Sequence, residues 1–158
     1  ILNYVSLGVL LNIPDNNFRQ LIDYVKQMDK QAKPSGWTPD LLLWFMLNSR
    51  LKEQEKLKYA ETLAYPRLYN GLYKVIQAPN AAAAKDALNK YLDRWYNLNS
   101  DAPWYNSHLK DNSYRGYWAW EVAAVAKIMH IDDSDLKNNQ YYPYDMVHWE
   151  DNETTAKE

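Results

Sequence analysis

Few side chains in this sequence could do chemistry. The three histidines, His108, His130 and His148, never pair with another residue at a metal-binding spacing such as His-Glu-x-x-His. His130 falls in the last turn of a helix, where a cation suits the helix dipole, and all three read as structural. Ser100, Ser107, Ser113 and Ser134 stand in loop or capping contexts. No Gly-x-Ser-x-Gly elbow, phosphate loop or dinucleotide fingerprint accompanies them. Cysteine is absent, so there is no disulfide framework, thiolate nucleophile or Cys-based metal site. Neither a cofactor nor a metal is expected. Glu121 is the sharpest single residue, a carboxylate inside the apolar run Tyr117–Met129. It reads as a buried carboxylate held by Tyr, Trp or backbone donors, or by Arg115. The alternative is a general acid with a raised pKa. That reading needs a second matched group, which the sequence does not nominate.

Charge is more informative. Between Asp132 and Glu153 stand seven acids and one basic residue, Lys137, although the whole chain carries only −2. Tyr141, Tyr142, Tyr144 and Trp149 are interleaved with them. An acidic, tyrosine-rich patch suits a basic protein partner, such as a nuclease surface that normally holds phosphate. The candidate contacts are Asp132, Asp133, Asp135, Tyr141, Tyr144, Asp145, Trp149, Glu150 and Asp151. A plainer reading has Asp133 and Asp145 flanking short helical turns, with the last residues a solvated tail. Direct nucleic-acid binding is not expected, because no basic stripe with interleaved aromatics occurs.

These groups must be positioned by helices. The chain has 158 residues, with 4 Gly, 7 Trp, 14 Tyr and 2 Phe, long enough for one unstapled core and poor in tight-turn residues. Ile1–Ile13 reads as the end of an amphipathic helix, too short to span a bilayer and without the basic start of a signal peptide. Asp15 can cap a helix whose Phe18, Leu21, Ile22, Val25 and Met28 fall on one face. Thr38, Pro39 and Asp40 give a cap, a first-turn proline and a first-turn acid. The length of the apolar Leu41–Leu47 would also suit a buried strand, but the cap signal and the following helix formers Arg50–Lys58 favour a helix. Leu68, Leu72, Val75 and Ile76 form another stripe. Asn80 can cap Ala81–Asn97, whose apolar face is Ala84, Ala87, Leu88, Tyr91, Leu92 and Trp95. Asn97–Ser113 is irregular but aromatic, and is expected to be packed.

The most buried candidate is Tyr117–Met129. One stripe holds Trp118, Val122, Val125 and Met129, and a second holds Trp120, Ala124 and Ile128. The expectation is an all-α, single-domain bundle of about six or seven helices around this central helix. Residues 1–150 would form the domain and 151–158 a polar, fraying tail. The expected location is the cytoplasm.

Two stretches carry a specific resemblance. Tyr114 to Ala124 reads Tyr-Arg-Gly-Tyr-Trp-Ala-Trp-Glu-Val-Ala-Ala. It is followed by Ile131-Asp132-Asp133-Ser134 and by Tyr141-Tyr142-Pro143-Tyr144-Asp145-Met146-Val147. In order and spacing they resemble the C-terminal domain of PoNi-like immunity proteins, helical bacterial proteins that neutralise PoNe-type DNase toxins. The family pattern runs Gly-Tyr-Trp, an aromatic or Ser pair before Glu, an Ala-rich helix, an Ile-Asp-Asp turn, then Tyr-Tyr-Pro-x-Asp-Leu-Val. Trp120 stands where Phe is commoner, and Met146 where Leu is. Longer members carry a further helical N-terminal region, which this chain is expected to lack. The resemblance implies an immunity protein that inhibits a cognate toxin stoichiometrically, its partner a basic nuclease domain. It gives Gly116, Tyr117, Trp118, Glu121 and Pro143 as structural residues, with Gly116 admitting a neighbouring helix. The remaining readings are a helical adaptor for another protein, and an enzyme using Glu121.

Overall fold

The computed structural model describes residues 1–31, 37–110, 114 and 116–149. Over them the chain is all-α. The helices are α1 (Leu2–Leu10), α2 (Asp15–Lys30), α3 (Leu41–Asn48), α4 (Pro66–Ile76), α5 (Ala81–Leu98), α6 (Ser107–Lys110), α7 (Trp120–Met129) and α8 (Tyr144–Val147). Two 3-10 turns, Glu53–Glu55 and Ser134–Leu136, join them. Six of these helices have 8 residues or more, and α6 and α8 are single turns of 4 residues. The predicted tail beyond Glu150 lies outside the described residues.

The central element is α7, which packs against α1, α3, α4, α5 and α8. Its residues from Glu121 to Ala126 are buried on every side. Ala123, Ala124 and Ala126 keep that surface narrow, so helices close in from several directions. The helix begins at Trp120, later than its apolar run predicts. Trp118 therefore lies outside it, and at 43% exposure is a surface residue rather than part of a buried stripe. The helix ends at His130, whose φ of +52° and ψ of 42° are left-handed. Glycine is the residue that adopts this geometry freely at a helix end. His130→Gly is expected to stabilise the fold by about 0.5–1 kcal/mol, read as a rise in Tm. A lower Tm would show that the exposed imidazole makes an interaction worth more than the strain.

The other helices follow their signals with instructive exceptions. Asn80 caps α5, its side chain accepting from the Ala83 amide at 2.9 Å. At α3 the cap is Asp40, not Thr38. Its Oδ1 accepts from the Leu43 amide at 2.8 Å and its Oδ2 from the Ala64 amide at 2.6 Å, so one carboxylate starts a helix and pins a later loop. The helix predicted to continue to Lys58 stops at Asn48. Asn48 Nδ2 donates to the Leu57 carbonyl at 2.8 Å and its Oδ1 accepts the Leu57 amide at 3.0 Å. That two-way grip offers the backbone a partner outside the helix ladder. Glu53 pairs with Lys56 at 2.6 Å, and Glu55 pairs with Arg19 at 3.4 Å. Close helix approach occurs at Gly71 of α4, where a Cβ would stand 2.7 Å from the Tyr91 ring of α5.

Candidate functional site

The turn after α7 splits the predicted acidic cluster. Asp132 and Asp135 are exposed, and both meet Lys85 of α5, at 2.8 and 3.2 Å. Hydrogen bonds from Lys85 and Ser134 hold the Asp132 carboxyl well below the usual carboxylate range. For Asp135, burial pushes upward, and the bonds from Asn89 and Lys85 outweigh it, so its pKa also falls. Asp133 goes the other way. It is 4% exposed, with Tyr142 Oη donating to Oδ2 at 2.7 Å and His148 Nε2 standing 2.8 Å from Oδ1. Its charge is spent inside, tying the turn to the segment that enters α8. The patch is thus less acidic than its sequence, because one acid turns inward and a distant lysine shares two others.

The three aromatic members are all half-buried. Tyr141 is half-buried, stacked on Tyr96 with centroids 5.3 Å apart, and its carbonyl accepts from the Ala119 amide. Trp149 is also half-buried. Its indole donates to the Leu10 carbonyl at 2.9 Å, and Lys127 Nζ donates to the same oxygen at 2.8 Å, so together they cap the end of α1. Tyr144 is half-buried too, beside the exposed Asp145, its ring 4.4 Å from that of His148. Glu150 and Asp151 lie outside the described residues. Pro143 is buried and starts α8, as its type suggests. Tyr144 borders two depressions. One runs along Asp132, Ser134 and His148; the other is a groove lined by Trp118, Trp120, Lys137, Asp145 and Met146. This second groove, with an exposed Trp on one bank, was not legible as a contact region in the sequence.

The Gly-Tyr-Trp segment feeds that groove. Gly116 has φ +86°, and a Cβ there would lie 2.6 Å from Trp118 Nε1. Its role is thus to turn the chain so that the Trp118 indole lies back over it, rather than to admit a helix. Tyr117 is buried, and its hydroxyl sits 3.1 Å from the His108 amide and 2.7 Å from His108 Nδ1. On the other side of Trp118 and Trp120 lies a second cleft, of about 300 Å³, which Gly116, Tyr117, Trp118 and Glu121 all line. Glu121 is 5% exposed, and Trp95 Nε1 of α5 donates to its Oε1 at 2.6 Å. Burial raises its pKa, the Trp95 bond opposing. A Trp donor was among those expected; Arg115 lies outside the described residues. Among the described residues the other ionisable groups of the cleft are Tyr69 and Tyr117. Burial, with Glu121 next, pushes the Tyr69 hydroxyl up. Among the described residues no three metal-ligating side chains gather, and no helix is long and apolar enough to cross a membrane.

Residues 38–146 match the family described as PoNe immunity proteins (PoNi), C-terminal. The chain belongs to this family. The match is wider than the motifs that first suggest it, starting just before the Asp40 cap and taking in α3 to the middle of α8. It takes in Asp132–Asp135, Asp145 and every described lining residue of the Gly116–Glu121 cleft except Asn3, and leaves α1, α2 and Trp149 outside. No curated protein and no solved structure matches the chain.

Proposed function

We propose that this chain neutralises a PoNe-type DNase toxin by binding it one to one as a folded protein, without changing a covalent bond. Membership of the PoNi family carries the reading. The contact face is the surface on either side of Tyr144, with Asp132, Asp135 and Asp145 as its acids and Trp118 as its exposed aromatic anchor. Such a face competes with DNA for a basic surface and speeds capture by charge. Asp133, Tyr141 and Trp149 support it from within. The toxin and this chain act in the bacterial cytoplasm, where the DNA is.

Co-expression with the toxin encoded beside it is expected to restore growth and to yield a one-to-one complex on size exclusion. Growth arrest with no complex would end the reading. The face itself is tested by Asp132→Lys with Asp135→Lys, leaving the inward Asp133 alone. Toxin association is expected to slow about tenfold at low salt, the difference shrinking as salt rises. Unchanged rates at every ionic strength would move the contact elsewhere.

A further inference from the structure

All four residues of the Gly-Tyr-Trp…Glu motif line one cleft, and the family membership alone assigns that cleft no ligand. Its floor is the Glu121 carboxylate, 5% exposed. Its walls are aromatic: Trp95 and Trp104 stack with centroids 5.5 Å apart, and Trp104 and Tyr117 meet at 5.5 Å. Trp104 and Trp118 reach solvent at 36% and 43% exposure and form the mouth. Among the described residues no basic side chain lines the cleft, and no side-chain donor but Trp95 reaches the carboxylate. A carboxylate taken out of water with two neutral donors, the Trp95 indole and its own backbone N–H, and no cation among the described residues is under-compensated. What completes it is a cation with flat apolar faces, since indole faces attract cations and a guanidinium stacks on them while pairing with a carboxylate.

We propose that this cleft is a socket for one arginine side chain of the bound toxin. The toxin as the source of that side chain rests on the proposed function; the socket's preference for a guanidinium does not. Gly116 shapes the mouth by seating the Trp118 indole, Trp95 aims the carboxylate, and the arginine supplies the countercharge that none of the described residues gives Glu121. A DNase surface that holds phosphate has arginines to offer.

The isolated protein tests it first. Butylguanidinium and the uncharged butylurea are titrated while the indole N–H NMR resonances are followed, Trp95 above all, because its N–H is bonded to Glu121. Butylguanidinium is expected to shift the Trp95 resonance with an affinity about tenfold above butylurea. Glu121→Gln, which keeps an acceptor for Trp95, should abolish that preference, and Trp118→Leu at the exposed mouth should weaken it. Equal binding of the two probes, or an undiminished preference in Glu121→Gln, overturns the socket. In the complex, Glu121→Gln is expected to speed toxin dissociation about tenfold or more; an unchanged rate overturns the toxin arginine as occupant. A wild-type protein that selects the guanidinium but captures no toxin leaves the socket standing and sinks the immunity reading alone.

Discussion

Asp133→Ala is expected to destabilise the protein by about 3 kcal/mol, and to lower Tm by roughly 10 °C. The carboxylate is 4% exposed and holds two partners, the Tyr142 hydroxyl at 2.7 Å and His148 Nε2 at 2.8 Å. Alanine leaves the buried Tyr142 hydroxyl without its acceptor. Burial first, and the neighbouring carboxylate second, raise the pKa of that phenol, so it stays a donor at any working pH. Orphaning a buried donor carries its full desolvation penalty, beyond the modest net value of the bond. Tyr142→Phe removes one donor and leaves the other partner in place, and should cost about half as much. The double variant should fall short of the sum, because both changes break the same bond. Urea unfolding of the four proteins closes the cycle. An Asp133→Ala protein as stable as wild type would mean that the turn and α8 are not held together through this carboxylate. The same burial governs how the proposed contact face is probed: reversing Asp132, Asp133 and Asp135 together would confound a lost contact with a lost fold.

Elements whose information is local were legible in the sequence. In α5 the Asn80 cap and the face from Ala84 to Trp95 lie within one run of chain, and all of that face but Ala87 is fully buried. The run from Val122 to Ala126 is apolar nearly all round, and only a central position buries such a surface. What the sequence hid depends on partners far along the chain. Asn48 ends α3 by gripping Leu57, and nothing between them marks the break. Leu41 to Lys58 offers good helix formers, and a tertiary hydrogen-bond arrangement overrides that propensity.

The candidate site shows the same division. Counting charges from Asp132 to Glu153 gives the composition of a segment, whereas the field depends on what folds against it. Lys85, 47 residues before Asp132, comes from α5 to sit between two of the acids. Asp133 differs from Asp132 and Asp135 only by position in the turn, yet it faces Tyr142 instead of water. Gly116, Tyr117, Trp118 and Glu121 were legible as a set from their motif, but not as a cavity. Trp95 and Trp104, which complete the walls, lie in a helix and an irregular loop upstream. Glu121 was visible as an acid in an apolar run, and that local contradiction is the signal that points to the site.

That contradiction should be measurable as stability. Glu121→Gln is expected to match wild type near pH 4 and to be the more stable protein at pH 7–8. Burial raises the Glu121 pKa above its ordinary 4.5, with the Trp95 bond opposing. The folded protein therefore holds a proton that the unfolded chain releases. Stability is fully present below the unfolded pKa, and falls as pH climbs from there through the folded value. The slope in that window is about 1.4 kcal/mol per pH unit for this one group. Glutamine has no proton to lose, keeps an acceptor for Trp95, and removes that component of the slope. Urea unfolding of both proteins across the range reads the difference directly. If Glu121→Gln is the less stable protein at every pH, the Trp95–carboxylate bond outweighs the burial, and Glu121 is a keystone of the fold. If it is the more stable protein at neutral pH and has lost its selection of butylguanidinium, the carboxylate costs the free protein stability that only a bound cation returns. A side chain kept against the interest of its own core in this way belongs to the interface.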